Sequence, residues 1–320
     1  MFRILKIPAR LALLIYCRNL RVNNKAFFST KGPLLIAANH PNSFLDAIII
    51  ATLFKQPIYS LARGDAFKNT LAYTLLSALN IMPVYRISEG AENLGENYHT
   101  FDKCKEIFKK NGIVLIFSEG LCINEWKLRK LKKGTARLAF SSWEEGIDLT
   151  ILPVGINYHS FSSFGKNVQV NFGNTFGWDS FQHKKIDGHT TNAFNQKLTV
   201  ELQQLVIEID SHETALIKNT FEKELSTFKK TALSIPALLG KWLHAPLYIP
   251  LQKISWSTTA GTGHYDSVLT GLLFILYPFY LLGIMSILYA YFGGWYSIVS
   301  LLLLPLLAWT FVQYKQAFKN

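Results

Sequence analysis

The residues best suited to chemistry lie in one short segment, Asn39-His40-Pro41-Asn42-Ser43-Phe44-Leu45-Asp46. The apolar run 34–38 before His40 predicts a strand, and the apolar run that follows predicts a helix with Asp46 in its first turn. An imidazole exchanges protons near neutral pH, and a carboxylate that accepts one ring N–H leaves the other nitrogen basic. The segment contains no strong nucleophile, so the pair indicates a base that deprotonates a substrate hydroxyl.

A structural role for the same segment is equally compatible with the spacing. Ser43 and Asp46 are three residues apart, which is the spacing of a capping box with Ser43 as the N-cap. The helix dipole favours a negative charge at this end, which suits Asp46. His40 would then be a turn residue in front of a capped helix, and spacing alone favours neither reading.

Two further predicted strands end beside polar residues. Arg86 follows the strand 81–85, where its planar guanidinium could bind a phosphate or form a surface salt bridge. Glu119 and Gly120 follow the strand 113–117 and lead into a basic loop. That loop could bind a phosphate or an anionic carrier, or could simply be solvated. Its basic residues are Lys127, Arg129, Lys130, Lys132 and Lys133.

The elements that must position these residues alternate along the chain. Strands are predicted at 34–38, 58–61, 81–85, 113–117, 150–158 and 168–172, and helices at 44–54, 70–79, 98–110 and 133–143. This order predicts an α/β fold, with a layered, mostly parallel or mixed sheet flanked by helices. Such sheets carry their chemistry beyond the carboxyl ends of the strands, so His40, Arg86 and Glu119 should share one edge.

Composition narrows the class of protein. The chain has 320 residues, 49% of them hydrophobic, and a formal net charge of +12, which favours an anionic partner. No nucleic-acid recognition motif is present, so a phosphorylated substrate or an anionic membrane surface is the better explanation. Cys17, Cys104 and Cys122 are too far apart for metal-ligand spacing and are expected to be reduced thiols.

The N-terminal segment 1–30 has an unusual charge distribution. No acidic residue precedes Asp46, and the basic residues there include Arg3, Lys6, Arg10, Arg18, Arg21 and Lys25. On a helical wheel these six fall within an arc of about 120°, opposite apolar positions. The pattern predicts an amphipathic helix at the membrane interface, with an ordinary surface helix as the alternative. The apolar stretch 11–17 is too short to cross a bilayer.

The C-terminal end predicts a transmembrane hairpin. No charged residue occurs from Ser267 to Tyr314, which accommodates two spans, at about 268–291 and 295–314. Lys253 lies before the hairpin, and Lys315 and Lys319 lie after it, which places both ends in the cytoplasm. The segment 232–251, with three prolines, is predicted to be re-entrant or interfacial. The predicted divisions are therefore 1–30, 31–175 (catalytic), 176–265 (connecting) and 266–320 (hairpin and tail).

Four blocks occur in a characteristic order: Asn39-His40…Asp46; Pro83-Val84-Tyr85-Arg86; Phe117-Ser118-Glu119-Gly120 with Lys133-Gly134; and Leu152-Pro153-Val154. Across residues 30–175 the chain resembles the glycerolipid acyltransferase superfamily. The resemblance implies acyl transfer to a glycerophosphate hydroxyl, with His40 as general base and Asp46 as its orienting partner. It also implies that Arg86 binds phosphate, that Glu119 and Gly120 bind the acceptor, and that neither a cofactor nor a metal is needed.

The chain departs from the family pattern in two blocks. Five residues rather than four separate His40 from Asp46, as in some glycerol-3-phosphate acyltransferases. In the third block Ser118 replaces a proline, and Leu121-Cys122 replace Thr-Arg. The charge of the missing arginine would have to come from Arg129, Lys132 or Lys133, and Arg129 is slightly favoured.

The sequence therefore predicts a membrane-bound acyltransferase of phospholipid biosynthesis, with its active domain on the cytoplasmic side. It would move an acyl group from acyl-CoA or acyl carrier protein to 1-acylglycerol-3-phosphate (lysophosphatidate). Glycerol-3-phosphate and an amino-acid lysolipid are the alternative acceptors. A thioesterase or lipid hydrolase, and a non-catalytic protein that binds anionic lipid, are the alternative classes.

Overall fold

The computed structural model describes residues 2–67, 69–85, 94–181, 187–222 and 224–315. The helices are α1 (Phe2–Tyr16), α2 (Phe44–Leu53), α3 (Thr70–Ala78), α4 (Leu94–Lys109), α5 (Gly134–Glu144), α6 (Gly188–Leu205), α7 (Thr214–Phe221), α8 (Thr227–Thr259), α9 (Tyr265–Phe292) and α10 (Tyr296–Tyr314). The strands are β1 (Cys17–Val22), β2 (Leu34–Ala38), β3 (Ile58–Arg63), β4 (Ile81–Val84), β5 (Ile113–Phe117), β6 (Thr150–Tyr158) and β7 (Lys166–Phe172).

Within the described residues the strands form one sheet in the order β1-β7-β6-β2-β5-β3-β4. Neighbouring strands from β6 to β4 are parallel, β6 and β7 are antiparallel, and β7 and β1 are parallel. Helices cover both faces, so the predicted α/β fold with a mostly parallel or mixed sheet is confirmed. In register, Ala38 of β2 lies beside Phe117 of β5 and Val154 of β6, which brings these strand ends to one edge.

The central strands are short apolar runs because both of their faces are covered. All five residues of β2 are buried, and successive side chains point to opposite faces. Leu34, Ile36 and Ala38 pack into one core with α1, α2 and the start of α9. Leu35 and Ala37 pack into a second core with α4, α5 and α6. The sheet is therefore a rigid base for the loops at its edge.

The N-terminal segment differs from the prediction. The helix ends at Tyr16, and the next residues form β1, which pairs with β7 at Leu20 and Val168. Arg18 is buried in this strand, so it does not continue a cationic helical stripe. The spacing of the basic residues predicts a helix in this segment. Pairing with the distant strand β7 determines the observed conformation instead.

The basic face of α1 contacts the domain. Lys6 Nζ donates to the carbonyl of Phe54, and Arg10 Nε donates to the carbonyl of Thr52 at 2.7 Å, both at the C-terminal end of α2. Cations are favourable there because the last carbonyls of a helix lack partners. The side chain of Arg3 lies outside the described part. Apolar side chains at 7, 11 and 14 are exposed instead, and they form a stripe on the outer face of α1.

The C-terminal helices include the predicted hairpin. Helices α9 and α10 are long and apolar enough to cross a membrane, judged by length and composition. They are joined through Gly293 and Gly294, whose φ angles of 61° and 72° favour glycine. The segment 232–251, predicted to be re-entrant or interfacial, is part of the continuous 33-residue helix α8. Helix α10 packs against both α8 and α9.

Candidate active site

His40 lies just beyond the carboxyl end of β2, and the residue before it fixes its position. The side chain of Asn39 accepts from Ile156 N–H at 2.7 Å and donates to the Ile156 carbonyl at 3.0 Å. These two bonds continue the pairing of β2 with β6 past the last strand residue. Asn39 is buried, so the backbone that carries His40 is held as firmly as the sheet itself.

The predicted pair of His40 and Asp46 is in hydrogen-bond contact. His40 Nδ1 lies 2.9 Å from Asp46 Oδ2, and Asp46 is fully buried in the first turn of α2. Because an ionised carboxylate only accepts hydrogen bonds, Nδ1 carries the proton and Nε2 is the basic nitrogen. The His40 side chain is 18% exposed, so the imidazole lies at the edge of the domain rather than in its core.

Two more donors fix the Asp46 carboxylate. The backbone N–H of Asn42 donates to Oδ2 at 2.8 Å, and the hydroxyl of Tyr158 donates to Oδ1 at 2.7 Å. Burial and the nearby Asp46 carboxylate raise the pKa of Tyr158 well above the ordinary tyrosine value, so the hydroxyl remains a donor. With three donors, the carboxylate has one orientation, and so does the imidazole bonded to it.

The imidazole is also held by the neighbouring strand β5. The ring of Phe117 stacks on His40 with centroids 3.9 Å apart and an interplanar angle of 12°. Glu119, two residues further, accepts the backbone N–H of His40 at 2.7 Å and that of Arg129 at 2.8 Å. Burial raises the pKa of Glu119, and these two backbone hydrogen bonds oppose the shift. Both carboxylate oxygens of Glu119 therefore bond backbone groups of this site.

Ser43 is the N-cap residue of α2, but the predicted capping box is wrong. Its side chain makes no capping hydrogen bond, and its φ angle is 53°. The hydroxyl is instead 2.8 Å from Nδ1 of His264, in the connection between α8 and α9. The Ser43 backbone N–H donates to Cys122 Sγ at 2.9 Å. Tertiary contacts thus replace the local cap, and they bring His264 to the site.

The Cys122 thiol lies close to the His40–Asp46 pair, where its Sγ accepts from the Ser43 backbone N–H. Burial, followed by the charge of Asp46, raises its pKa to about 12. A thiol is nucleophilic only as the thiolate, so Cys122 is protonated and unreactive near neutral pH.

The predicted substrate-binding residues have different environments. The Arg129 guanidinium pairs with Glu125, so the favoured replacement for the family arginine is already bonded within the loop. Gly120 occupies a turn with a φ angle of 66°, which a side chain would strain. Lys133 is exposed at the start of α5, beside the end of β5. Arg86 lies outside the described residues.

Several residues of this site are not assigned a role by sequence reasoning. Phe117 and Tyr158 are the last residues of β5 and β6, so their place at the edge follows once the strand order is known. Asn42 lies inside the motif, yet nothing in its spacing indicates a bond to Asp46. No group of three or more His, Cys, Asp or Glu side chains that could hold a metal occurs in the described part of the chain.

Residues 19–157 match the family model described as Acyltransferase, a segment that contains His40, Asp46 and Glu119. Residues 19–157 are therefore identified as an acyltransferase domain. The match agrees with the sequence resemblance and identifies the chain as an enzyme, which contradicts the alternative of a protein that only binds anionic lipid.

Comparison with solved structures shows a distant similarity of the acyltransferase to the 1-acyl-sn-glycerophosphate (LPA) acyltransferase PlsC from Thermotoga maritima. The similarity has 12% sequence identity and a TM-score of 0.42, and it covers 64% of this chain and 79% of that chain. No significant match is found among curated protein sequences.

Proposed function

We propose that this acyltransferase moves a fatty acyl group from acyl-CoA or acyl carrier protein to the hydroxyl of 1-acylglycerol-3-phosphate at a membrane surface. The observation that carries the proposal is the buried Asp46 carboxylate bonded to Nδ1 of a partly exposed His40. That geometry supplies an oriented base at an open edge, which is what a reaction of a hydroxyl with a thioester requires.

In the proposed reaction, His40 Nε2 takes the proton of the acceptor hydroxyl as its oxygen attacks the thioester carbonyl. The new C–O ester bond forms and the C–S bond breaks, and the proton passes from His40 to the departing thiolate. Asp46 stabilises the imidazolium through Nδ1–H while it exists. A positioned general base typically contributes about 10²–10⁴ in rate, so most of the remaining acceleration must come from substrate alignment.

The position of α9 supports an acceptor drawn from the bilayer. Asn42 Nδ2 donates to Asp266 in the first turn of α9 at 2.6 Å, and His264 bonds Ser43 immediately before that turn. If α9 enters the membrane beyond its buried first turns, the His40–Asp46 pair lies near the bilayer surface. An acyl acceptor with its chain in the membrane would then present its hydroxyl to Nε2. The exposed apolar stripe of α1 is compatible with the same surface.

The orientation of the hairpin and the anchor for the acceptor phosphate are parts of the same proposal. Basic residues flank the hairpin at Lys253 and Lys315, which supports a cytoplasmic position of the catalytic domain. Arg86 and Lys133 are the proposed phosphate ligands. Lys133 is exposed at the edge that carries His40, whereas the Arg129 guanidinium is already paired with Glu125.

Product analysis tests this function. Purified enzyme in detergent is incubated with labelled acyl-CoA or labelled acyl carrier protein as the donor. Each reaction also contains one acceptor: 1-acylglycerol-3-phosphate, glycerol-3-phosphate, an amino-acid lysolipid, or water alone. The expected product is labelled phosphatidate from 1-acylglycerol-3-phosphate, at a rate well above the other acceptors. Labelled free fatty acid as the sole product, independent of acceptor, would contradict the proposal.

One contact favours a second candidate, a hydrolase that forms an acyl-enzyme. The Ser43 hydroxyl and His264 Nδ1, 2.8 Å apart, have the separation of a nucleophile and its base. Replacement of Ser43 by Ala separates the two mechanisms. Direct transfer by His40 should survive Ser43→Ala within a few-fold, whereas a route through a Ser43 ester would be abolished, together with any covalently labelled enzyme.

A further inference from the structure

A buried ion pair lies next to the catalytic loop, residues 39–43, which joins β2 to α2 and carries His40. Lys166, the first residue of β7, donates to Asp266 in the first turn of α9, and both side chains are fully buried. Asp266 also accepts from the hydroxyl of Tyr16 at 2.6 Å and from the side-chain amide of Asn42 at 2.6 Å. Three elements distant in sequence, α1, β7 and α9, therefore meet at one carboxylate beside the catalytic loop.

This ion pair is a costly way to join helices to a sheet. Two charges removed from water lose hydration that their attraction does not fully replace, and an apolar pair of similar volume often gives equal or greater stability. Burial lowers the pKa of Lys166, and the Asp266 carboxylate opposes that shift. Stability alone therefore gives a weak reason for the pair, which points to a role in positioning.

Asn42 connects the pair to the catalytic residues. Its side-chain amide donates to Asp266 Oδ2, and its backbone N–H donates to Asp46 Oδ2 at 2.8 Å. Asn42 is fully buried in the short loop between β2 and α2. The Asp266 carboxylate thus holds the side chain of Asn42. The backbone N–H of Asn42 in turn holds the Asp46 carboxylate.

We propose that Asp266 and Lys166 are positioning residues of the acyltransferase. They hold Asn42, and through it Asp46 and His40, in the reactive geometry. This geometry forms only when the first turn of α9 is docked on the domain. The proposal rests on the general-base function proposed above for His40. It makes catalysis depend on seating of the C-terminal hairpin, because Asp266 is the first-turn residue of the hairpin's leading helix. Lys166 supplies the counter-charge that allows the Asp266 carboxylate to be buried there.

Two double variants distinguish positioning from simple stabilisation. Lys166→Met with Asp266→Asn removes both charges. The new amide oxygen at position 266 can still accept from the side chain of Asn42, and the amide N–H₂ can donate to the Tyr16 hydroxyl. Lys166→Met with Asp266→Leu also removes both charges but leaves Asn42 without an acceptor. Both are free of an unpaired buried charge, so thermal unfolding should show both to be folded.

The expected result is a difference in kcat and not in KM. The double variant with Asp266→Asn should keep kcat within about 3-fold of wild type, and the double variant with Asp266→Leu should lose about 10- to 100-fold, as small misplacements of catalytic groups do. KM for the acyl donor should stay within about 2-fold in both, because neither change touches the donor. Equal, wild-type kcat in the two double variants would overturn the proposal.

A single variant tests the link from the other side. Asn42→Ala removes the side-chain amide while Asp266 keeps Lys166 and Tyr16, and the backbone N–H to Asp46 stays available. A fall in kcat at unchanged KM supports the proposal, and an unchanged kcat contradicts it. Leu198→Ala is the matched control for lost stability, since it opens a cavity in the core on the other face of the sheet. Its melting temperature should fall while kcat per folded molecule stays at the wild-type value.

Failure of this inference is distinct from failure of the proposed function. If His40→Ala is inactive while Asn42→Ala and the double variant with Asp266→Leu have wild-type kcat, the general base stands and the positioning role is wrong. If His40→Ala has full activity, the function assigned to the pair is wrong, whatever the Asp266 variants do.

Discussion

The catalytic domain and the C-terminal hairpin differ in the large side chains that they expose and in the polar side chains that they bury. In the domain, Asp46 and Glu119 are buried and each accepts hydrogen bonds from neighbouring groups. In the hairpin, large apolar side chains are exposed, among them Leu302 at 78% and Phe279 at 67%. The buried polar side chains of α10 are small and uncharged, at Ser297, Ser300 and Thr310, and they lie among buried apolar side chains such as Leu304.

We expect this difference to reflect the surroundings of each region, water for the domain and lipid for the hairpin. A domain in water hides its apolar groups, whereas helices in hydrocarbon gain nothing by hiding them and pack through small residues. Asp266 lies where the two regions meet, at the start of α9 and in contact with the catalytic loop. If the hairpin lies in lipid, the proposed chemistry takes place at the boundary between a water-facing and a lipid-facing structure, and each prediction tests one side of this comparison.

The largest effect is expected for Asp46→Asn. An amide cannot accept from all three donors that now bond the carboxylate, and its own N–H₂ would oppose one of them. We expect acyl transfer to fall by about 10²- to 10⁴-fold in kcat, the full contribution of a positioned base. Steady-state kinetics with labelled acyl donor measures the change.

The matched control for that variant is Asp148→Asn, the same chemical change at an exposed position. Its activity should equal that of wild type. Wild-type kcat in Asp46→Asn would show that the buried polar network of the domain has no catalytic role.

An intermediate effect is expected for Leu306→Lys in the middle of α10. A lysine at the centre of a membrane span costs about 3 kcal/mol relative to leucine, so less of the protein should remain in alkali-washed membranes. Leu216→Lys in α7 is the control, because Leu216 is 46% exposed and Leu306 is 55% exposed. Equal membrane retention of the two variants would remove the lipid-facing side of the comparison.

The smallest effect is expected for Gly120→Ala at the turn after β5. The φ angle of 66° disfavours any L-residue with a side chain, at a cost of about 1–2 kcal/mol in the free energy of unfolding. Gly134→Ala is the control, since an added Cβ there meets no atom within 4 Å and alanine favours the helix. Chemical denaturation should show Gly120→Ala to be the less stable of the two, and the reverse order would contradict the turn geometry.

The sequence predicts most strands of the sheet well and misses the edge strand β1. The strands at 34–38, 113–117 and 150–158 have the predicted bounds, because short apolar runs between polar segments are typical of strands that are buried on both faces. Strand β1 is missed because its residues have the helical spacing of basic side chains and are extended only through pairing with β7. Non-local pairing of this kind leaves no local pattern to detect.

The same distinction holds for the site. His40 and Asp46 are close in sequence, so their contact is predictable from spacing and side-chain chemistry. Tyr158 is 112 residues from Asp46, and Asp266 is 224 residues from Asn42, so these contacts depend on the completed fold. The ion pair of Arg129 with Glu125 shows a further limit, because the sequence of the basic loop predicts charged side chains but not their partners in the fold.

The most direct test of the account is acyl transfer by His40→Ala, measured beside wild type and His212→Ala with labelled donor and 1-acylglycerol-3-phosphate. His212 is exposed on the surface and serves as the matched histidine control. The account predicts that His40→Ala loses at least about 10²-fold in kcat, with an unchanged melting temperature, and that His212→Ala equals wild type. Equal phosphatidate formation by His40→Ala and wild type would contradict it.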